Sequence, residues 1–527
     1  MFHILVADPI SKEGLDVLQQ NPNVTVTEDT NLSPDELESR IGQFDGLLVR
    51  SQTKVTRPII EKASKLKIIG RAGVGVDNID LDAATEQGII VVNAPNGNTN
   101  SAAEHTMAMT MALSRQIPQA HVSLQNGKWD RKKYVGVELK GKTLGIIGLG
   151  RIGTEVAYRA KGQRMDVIAY DPFLTEEKAE QMGVTYGTLE EVLQESDYIT
   201  VHTPLLKETR HMIDANAFSR MKDGVHIINC ARGGIIEEEA LYDAIVSGKV
   251  AGAAIDVLEE EPFQDHKLLT LPEVIATPHL GASTVEAQEN VAIDVCHDII
   301  SHLTGDTAKN PVNIPSVPSN ILSQIEPYFH LAEKLGMFLI HLTEDVPEEV
   351  NIYYSGELSD VKMAPITRNA VKGLLKRHLG THVNDVNALY FADRKGITIN
   401  ESRTSTAKGF TNLLSVEVKT KSGVRRVAGT LLNGLGPRIV RVDQYSVDVM
   451  PEGHLVVIHH QDLPGVIGKM GSLLSKYQIN IATMQVDRSD IGGNAIMILT
   501  IDKYLEKDEL AGLKQLEEII DVTAVDL

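Results

Sequence analysis

Short apolar runs alternate with stretches of helical period from the start of the chain. Ile4–Ala7, Val24–Val26 and Gly46–Arg50 read as strands, and segments near Ser11–Gln20 and Ser33–Ile41 as helices between them. A further strand, Lys67–Arg71, runs into a glycine turn, Ala72-Gly73-Val74-Gly75-Val76-Asp77. Strands that alternate with helices predict a parallel sheet covered by helices. From Asn100 to Arg115 the period turns helical, in a methionine-rich run whose methionines read as core. Strand-like runs return at Thr143–Ile147, Met165–Tyr170, Tyr198–Val201, Val225–Asn229, Ala251–Asp256 and Val274–Thr277, and a long helix is predicted over about Ser283–Leu303.

Past Gly305 the pattern changes. Asn310–Pro318, rich in proline, reads as a linker. Residues 319–450 mix one helical run, Ile325–His341, with strand-like Asn351–Tyr354, Leu413–Thr420, Arg438–Val442 and Tyr445–Val449. The last unit parses as βαββαβ: His454–His460, a helix over Gly465–Tyr477, Ile479–Arg488, Asn494–Ile501, a helix near Lys507–Ile519, and Val522–Asp526. That order predicts a ferredoxin-like plait. The long helix after residue 283 would return to the first sheet, so the first domain is expected to be discontinuous. The expected division is therefore 1–98 with 284–315, then 99–283 as an inserted doubly wound unit, 316–450 as an α+β unit, and 451–527.

The glycine turn after Thr143–Ile147 adds chemistry to the pattern. In Gly148-Leu-Gly150-Arg151-Ile152-Gly153 the first glycine makes the tight turn, the second clears a path for a pyrophosphate, and the third lets helix and strand pack. Asp171 follows at the end of the next strand, about 20 residues on, as the dinucleotide fingerprint requires. An acid there accepts both ribose hydroxyls and repels a 2′-phosphate, so NAD is expected rather than NADP.

The later strands end in His202-Thr203-Pro204, Cys230-Ala231-Arg232-Gly-Gly, Asp256 leading to Glu261-Pro262, and Pro278-His279. In a doubly wound sheet these ends face one crevice. A histidine, a carboxylate and an arginine there suit hydride exchange between a 2-hydroxy acid and a 2-oxo acid. His279 would take the hydroxyl proton, Glu261 would fix its tautomer, and Arg232 would grip the substrate carboxylate with a planar two-pronged donor. Glu261 is one of three consecutive glutamates, any of which could be a solvated charge. Arg50 and Arg71 also stand just past strand ends, with the amides of Gly73–Gly75 beside them as a candidate anion nest. Cys230 reads as a small buried residue rather than a nucleophile.

Composition narrows the partners. The 527 residues carry 51 basic and 71 acidic side chains, a net charge of −20 that disfavours nucleic acid and anionic membrane surfaces. An anionic substrate must then be met by locally placed arginines. Cys230 and Cys296 cannot build a disulfide framework, and no cysteine or histidine spacing suggests a metal. No signal-peptide pattern or membrane-length run stands out, and a cytoplasmic location is expected.

The motifs resemble those of the D-isomer-specific 2-hydroxyacid dehydrogenases, and within them the long-form phosphoglycerate dehydrogenase branch. The matching pieces are Arg71–Asp80, Gly148–Gly153, Asn229–Ile236, Asp256–Pro262 and Pro278–Thr284. The resemblance implies that Arg232, Glu261 and His279 are catalytic. It also implies NAD contacts at Arg151, Ile152, Asp171, Thr203, Cys230, Ala231, Asp256 and Gly281, beside the glycines 148, 150 and 153. Substrate contacts are implied at Arg50, Arg71 and Gly73, while Val74 stands where some relatives have a threonine. The loop from Trp129 to Lys133 is similar to one that reaches a partner subunit's site.

The tail looks like an ACT domain, which implies a small-molecule effector, L-serine, held by His460, Asp462 and Asn480. The 319–450 segment resembles the branch's intervening domain, a spacer and assembly unit with an anion site near Arg425 and Arg426. The implied activity is NAD-dependent oxidation of 3-phospho-D-glycerate to 3-phosphohydroxypyruvate, the first step of L-serine biosynthesis, in a serine-sensitive homotetramer built as a dimer of dimers. A glyoxylate or hydroxypyruvate reductase and a non-enzymatic, corepressor-like NAD sensor share the fold and remain alternatives.

Overall fold

The structure, a computed structural model, describes residues 1–263, 265–315, 319–343, 345–360, 363–407 and 409–527. Residues 316–318, the end of the expected linker, lie outside the described residues. Four sheets organise the described residues.

The first is five-stranded and parallel, in the spatial order Val24–Glu28, Phe2–Val6, Gly46–Val49, Ile68–Arg71, Ile90–Asn93. This is the flavodoxin-like order 2-1-3-4-5. Its strands are apolar on both faces because both are covered. Leu5, Leu47 and Ile69 pack on one side, and Ile4, Leu48 and Ile68 on the other against Val291, Val295 and Ile299 of the long helix Val285–Thr304. That helix thus returns to the first sheet after the chain has built the second.

The second sheet has seven parallel strands. From the strand Thr143–Ile147 the order runs through Asp166–Tyr170 to Thr185–Tyr186 on one side, and through Tyr198–Val201, Val225–Asn229 and Val250–Ile255 to Val274–Ala276 on the other. The order reverses between Thr143–Ile147 and Tyr198–Val201, the place where open α/β sheets bind ligands at their strand ends. The fold is therefore a Rossmann-type doubly wound sheet beside a flavodoxin-like one.

The third sheet, six-stranded and mixed, lies against two crossing helices, Pro327–His341 and Ala364–Leu379. They approach until Gly336 lies on the backbone of Ala370 and Gly373 on that of Glu333, so a β-carbon at either glycine would collide with backbone. The sequence pattern predicts only the first of these helices. In the second, Thr367, Arg368 and Asn369 occupy buried positions, which blurs its apolar period. Two of them are met internally: Thr367 Oγ1 meets the Tyr354 hydroxyl at 2.7 Å, and Asn369 Nδ2 donates to Pro365 O at 2.9 Å, whereas Arg368 Nε and Nη1 are buried without a partner.

The fourth sheet is antiparallel, in the order Ile481–Arg488, Asn494–Ile501, His454–Gln461, Ile519–Asp526, with helices Val466–Lys476 and Lys507–Lys514. This is the ferredoxin-like plait. The second helix stops at Lys514 rather than near Ile519, because Ile519 already pairs with His460 in the last strand. Alternate residues of this sheet serve two cores. Val456 and Ile458 pack on the unit's own helices, whereas Leu455 and Val457 join Leu331, Leu335 and Val449 in the core of the third sheet. No helix among the described residues is long and apolar enough to cross a membrane.

Candidate active site

The glycine turn forms a cradle at the reversal point. Gly148 holds φ +97°, and a β-carbon there would press on His202 O. The helix Arg151–Gly162 begins at Gly150 without a side-chain cap, so its first N–H groups face outward unpaired. The space around Gly150 is open, and the Thr203 hydroxyl beside Gly148 is buried without a hydrogen-bond partner. Unpaired helix amides and an orphaned hydroxyl suit a pyrophosphate. Asp171 stands at the next strand end, where its Oδ2 accepts from the Leu149 N–H at 2.9 Å and its Oδ1 from the Phe173 N–H at 2.8 Å. It thus also shapes the turn it borders. Asp171→Asn removes the charge and keeps one acceptor oxygen while turning the other position into a donor facing an N–H, so the ratio of NADP to NAD turnover is expected to rise at some cost in thermal stability. An unchanged ratio in paired cofactor titrations would contradict a ribose role.

Asn229 shapes the next strand end. Its Oδ1 accepts from Ala231 N at 3.0 Å and its Nδ2 donates to Arg232 O at 2.9 Å, bending the chain through Cys230 and Ala231. Burial pushes the Cys230 thiol up to about 12, and it is not a thiolate at neutral pH.

Asp256, 2% exposed, anchors the Pro278–Gly281 turn. Its carboxylate accepts from Leu280 N at 2.7 Å, Gly281 N at 2.8 Å and Thr277 Oγ1 at 2.5 Å, with His105 Nε2 at 3.2 Å. Burial pushes this carboxyl up, but the bonds from His105, Thr277 and Leu280 outweigh it and hold the pKa below the usual range. His105, on the helix Thr99–Ser114, escapes the sequence reading because it sits in an otherwise unremarkable apolar run.

The anchored turn presents His279, at φ +55°, to Glu261. The two meet at 2.7 Å between Nδ1 and Oε2. A carboxylate only accepts, so Nδ1 carries a proton, and in the neutral ring Nε2 is the nitrogen with the lone pair. Burial raises the Glu261 carboxyl, but the bonds from His279 and from Leu258 N–H bring it below its ordinary value. Of its two neighbours, Glu259 is held elsewhere, by His211 at 2.7 Å and Arg210 at 3.3 Å.

The first sheet supplies cations. Asp8, 1% exposed, accepts from Arg50 N at 2.6 Å and Thr53 Oγ1 at 2.6 Å, and Asn78 Nδ2 ties Arg50 O to Thr53 O. Arg71 is largely buried and its Nε lacks a partner. Burial and then the charges of Arg232 and Arg50, opposed by those of Asp77 and Asp8, bring its pKa down to about 10. Three guanidiniums from two domains thus share one region. The glycine turn fits against them: a β-carbon on Gly73 would strike the Arg71 guanidinium, and one on Gly75 that of Arg232. Arg232 Nε is held across the cleft by Asp77 Oδ2 at 3.1 Å. Asp77 is the other residue the sequence reading left without a role.

The effector candidates are less convergent. Asp462 Oδ2 is occupied by Arg488 Nη1 at 2.8 Å and Gly492 N at 3.1 Å. Buried His460 uses Nδ1 on Gln461 O at 2.8 Å and leaves Nε2 without a partner. Asn480 is exposed, its backbone N–H on Asp502 Oδ1 at 3.1 Å. Arg425 and Arg426, near which an anion site is expected, face apart. Neighbours in a strand point to opposite faces, and Arg425 meets Asp443 at 3.1 Å whereas Arg426 lies over the Tyr353 ring.

Residues 107–281 match the D-isomer specific 2-hydroxyacid dehydrogenase NAD binding domain, 324–443 the D-3-phosphoglycerate dehydrogenase intervening domain, and 454–521 the ACT domain. A D-3-phosphoglycerate dehydrogenase from Bacillus subtilis is 46% identical over 527 residues, covering 100% of both chains. The chain belongs to the D-isomer-specific 2-hydroxyacid dehydrogenase family. A second relative of the same name, from Methanocaldococcus jannaschii, is 45% identical over 528 residues and again covers 100% of each chain. Among solved structures, D-lactate dehydrogenase from Aquifex aeolicus complexed with NAD and lactic acid matches with a TM-score of 0.53 and 30% identity, covering 60% of this chain and 100% of its own. The protein is an NAD-dependent dehydrogenase of this family, and the intervening and ACT domains follow the dehydrogenase body in order along the chain.

Proposed function

We propose that the chain oxidises 3-phospho-D-glycerate to 3-phosphohydroxypyruvate with NAD, the first step of L-serine biosynthesis. The observation that carries this reading is the clustering of Arg71 and Arg232 about the Gly73–Gly75 turn, with Arg50 near enough for its charge to act on Arg71. So much positive charge in a chain of net charge −20 suits a substrate with both a carboxylate and a phosphate. Bound NAD supplies the hydride acceptor. His279 Nε2 takes the C2 hydroxyl proton, and Glu261 steadies the imidazolium that forms. Arg232 leaves Asp77 for the substrate carboxylate and polarises the developing carbonyl oxygen. Arg71, with Arg50, faces the phosphate. Gly148–Gly153, Thr203 and Asp171 hold the dinucleotide, with Ile152, Ala231 and Gly281 lining its path.

The proposed division follows the sheets: 1–98 with 284–315 for substrate, 99–283 for NAD, 316–450 and 451–527 for regulation and assembly. The homotetramer is proposed on the segment 117–137, where Ile117, Val122 and Trp129 are 54%, 53% and 77% exposed, a run of apolar surface suited to a second copy. A cytoplasmic location fits the two unpaired cysteines. L-serine is the proposed effector, at His460, Asp462 and Asn480.

The reading is tested by following NADH formation with 3-phosphoglycerate and with glycerate. The expected result is a kcat/KM higher for the phosphorylated acid by at least about 100-fold, the worth of a charged phosphate clamp. Equal values would point to a reductase for small unphosphorylated acids, and no NADH at all to a non-enzymatic sensor.

A further inference from the structure

The third and fourth sheets meet around a cavity of about 550 Å³, within the size range of small-molecule sites. Its walls come from both units. The turn leading to Arg425 and the turn carrying Asp443 and Tyr445 form one side, and His459, Asn494 and Asp521 of the ACT unit form the other. The active-site residues lie on other sheets, and the effector candidates Asp462 and Asn480 are absent from the lining.

Arg425 dominates the chemistry. Its Nη1 is 3.1 Å from Asp443 Oδ2 and its Nη2 3.0 Å from His459 Nε2, while its Nε–H is buried with no partner. An arginine only donates, so His459 Nε2 accepts and the ring is neutral. Burial and then the Arg425 charge keep the His459 pKa low, in agreement. The cavity therefore offers one cation against two carboxylates, Asp443 and Asp521. Asp443 is already bound by Arg425 and by the Arg426 N–H at 2.9 Å. Asp521 is met from outside the cavity by Lys514 Nζ on Oδ1 at 3.1 Å and by Thr523 Oγ1 on Oδ2 at 3.3 Å, which leaves room on its four lone-pair sites for a further donor. A simple anion could satisfy the Nε–H but would add to the excess of negative charge. A molecule with one carboxylate and one ammonium answers both needs without changing the net charge.

We propose that this cavity binds a small α-amino acid, whose carboxylate accepts from the buried Arg425 Nε–H and whose ammonium faces Asp521. Because the walls belong to two units, an occupant links the third sheet to the fourth. The site is separate from the Asp462 and Asn480 effector position and does not depend on the dehydrogenase reading.

Calorimetric titration of the full chain tests it, with glycine, L-alanine and L-serine as probes and acetate, methylammonium and inorganic phosphate as controls. At least one amino acid is expected to bind saturably, with each control at least about tenfold weaker. Arg425→Gln should weaken the amino acid by at least about tenfold, and Asn480→Ala by less than about twofold. Val424 is exposed on the cavity wall, so Val424→Trp blocks the space without disturbing a core; it should abolish binding while NADH production without amino acid is unchanged. The proposal is overturned if no amino acid binds, if acetate or phosphate binds as well, or if Asn480→Ala removes binding while Val424→Trp does not.

Discussion

His279→Ala is expected to lower kcat by about 10²- to 10⁴-fold, the usual worth of a positioned general base, while NAD affinity stays near that of the parent. The two effects separate because the cradle at Gly148–Gly153 and the turn at Pro278–Gly281 are held by different groups. The first rests on Asp171 and the helix amides, the second on Asp256. His279 is half exposed and makes no core contact, so its loss should leave the fold intact. Single-turnover hydride transfer, read by NADH absorbance, together with NAD titration by fluorescence, checks both halves. Turnover within about threefold of the parent would remove His279 from the chemistry.

Arg71→Met should combine a loss of activity with a gain in stability. The buried guanidinium sits among Arg232 and Arg50, and its depressed pKa means that the folded state disfavours its charged form. Because that charge is present at neutral pH, removing it relieves the fold. Methionine keeps much of the volume and fills an irregular space well. The melting temperature is therefore expected to rise, whereas kcat/KM for 3-phosphoglycerate falls by about 10- to 100-fold through loss of charge-assisted bonds. Turnover of unphosphorylated glycerate should change far less. A lowered melting temperature would mean that unseen partners compensate Arg71, and equal losses on both acids would detach it from the phosphate.

What could be read in advance followed short-range rules. Glycine spacing, the acid at Asp171 and polar strand ends are local signals, and they carry the doubly wound architecture into plain view. The helix Ala364–Leu379 was hidden because its buried side holds Thr367, Arg368 and Asn369, polar residues that break the apolar period, with Thr367 meeting Tyr354 of a neighbouring strand. Long-range pairing hides site residues in the same way. Nothing near His105 signals that it reaches Asp256, and nothing near Asp77 that it holds Arg232. Among Glu259, Glu260 and Glu261 the chain itself gives little preference; the fold separates them by sending Glu259 to His211 and Glu261 to His279. Arg425 and Arg426 show the converse, where residues adjacent in sequence are given different partners, Asp443 and the Tyr353 ring, by the alternation of a strand.

The two-sided fourth sheet has a consequence for cutting the chain. Leu455, Val457, Ile496, Ile498 and Val525 close a core whose other walls are Leu331, Leu335, Val442 and Val449. A construction ending at Met450 would strip that lid and leave an apolar face open to water, inviting aggregation. A stop near Pro315, ahead of the third sheet, severs much less: Val386 leaves the core of the first sheet, and Asn384 its bond to Gly88 O. The last two units are thus expected to be inherited together: a cut at 450 opens a shared apolar core, and one near 315 does not open that core.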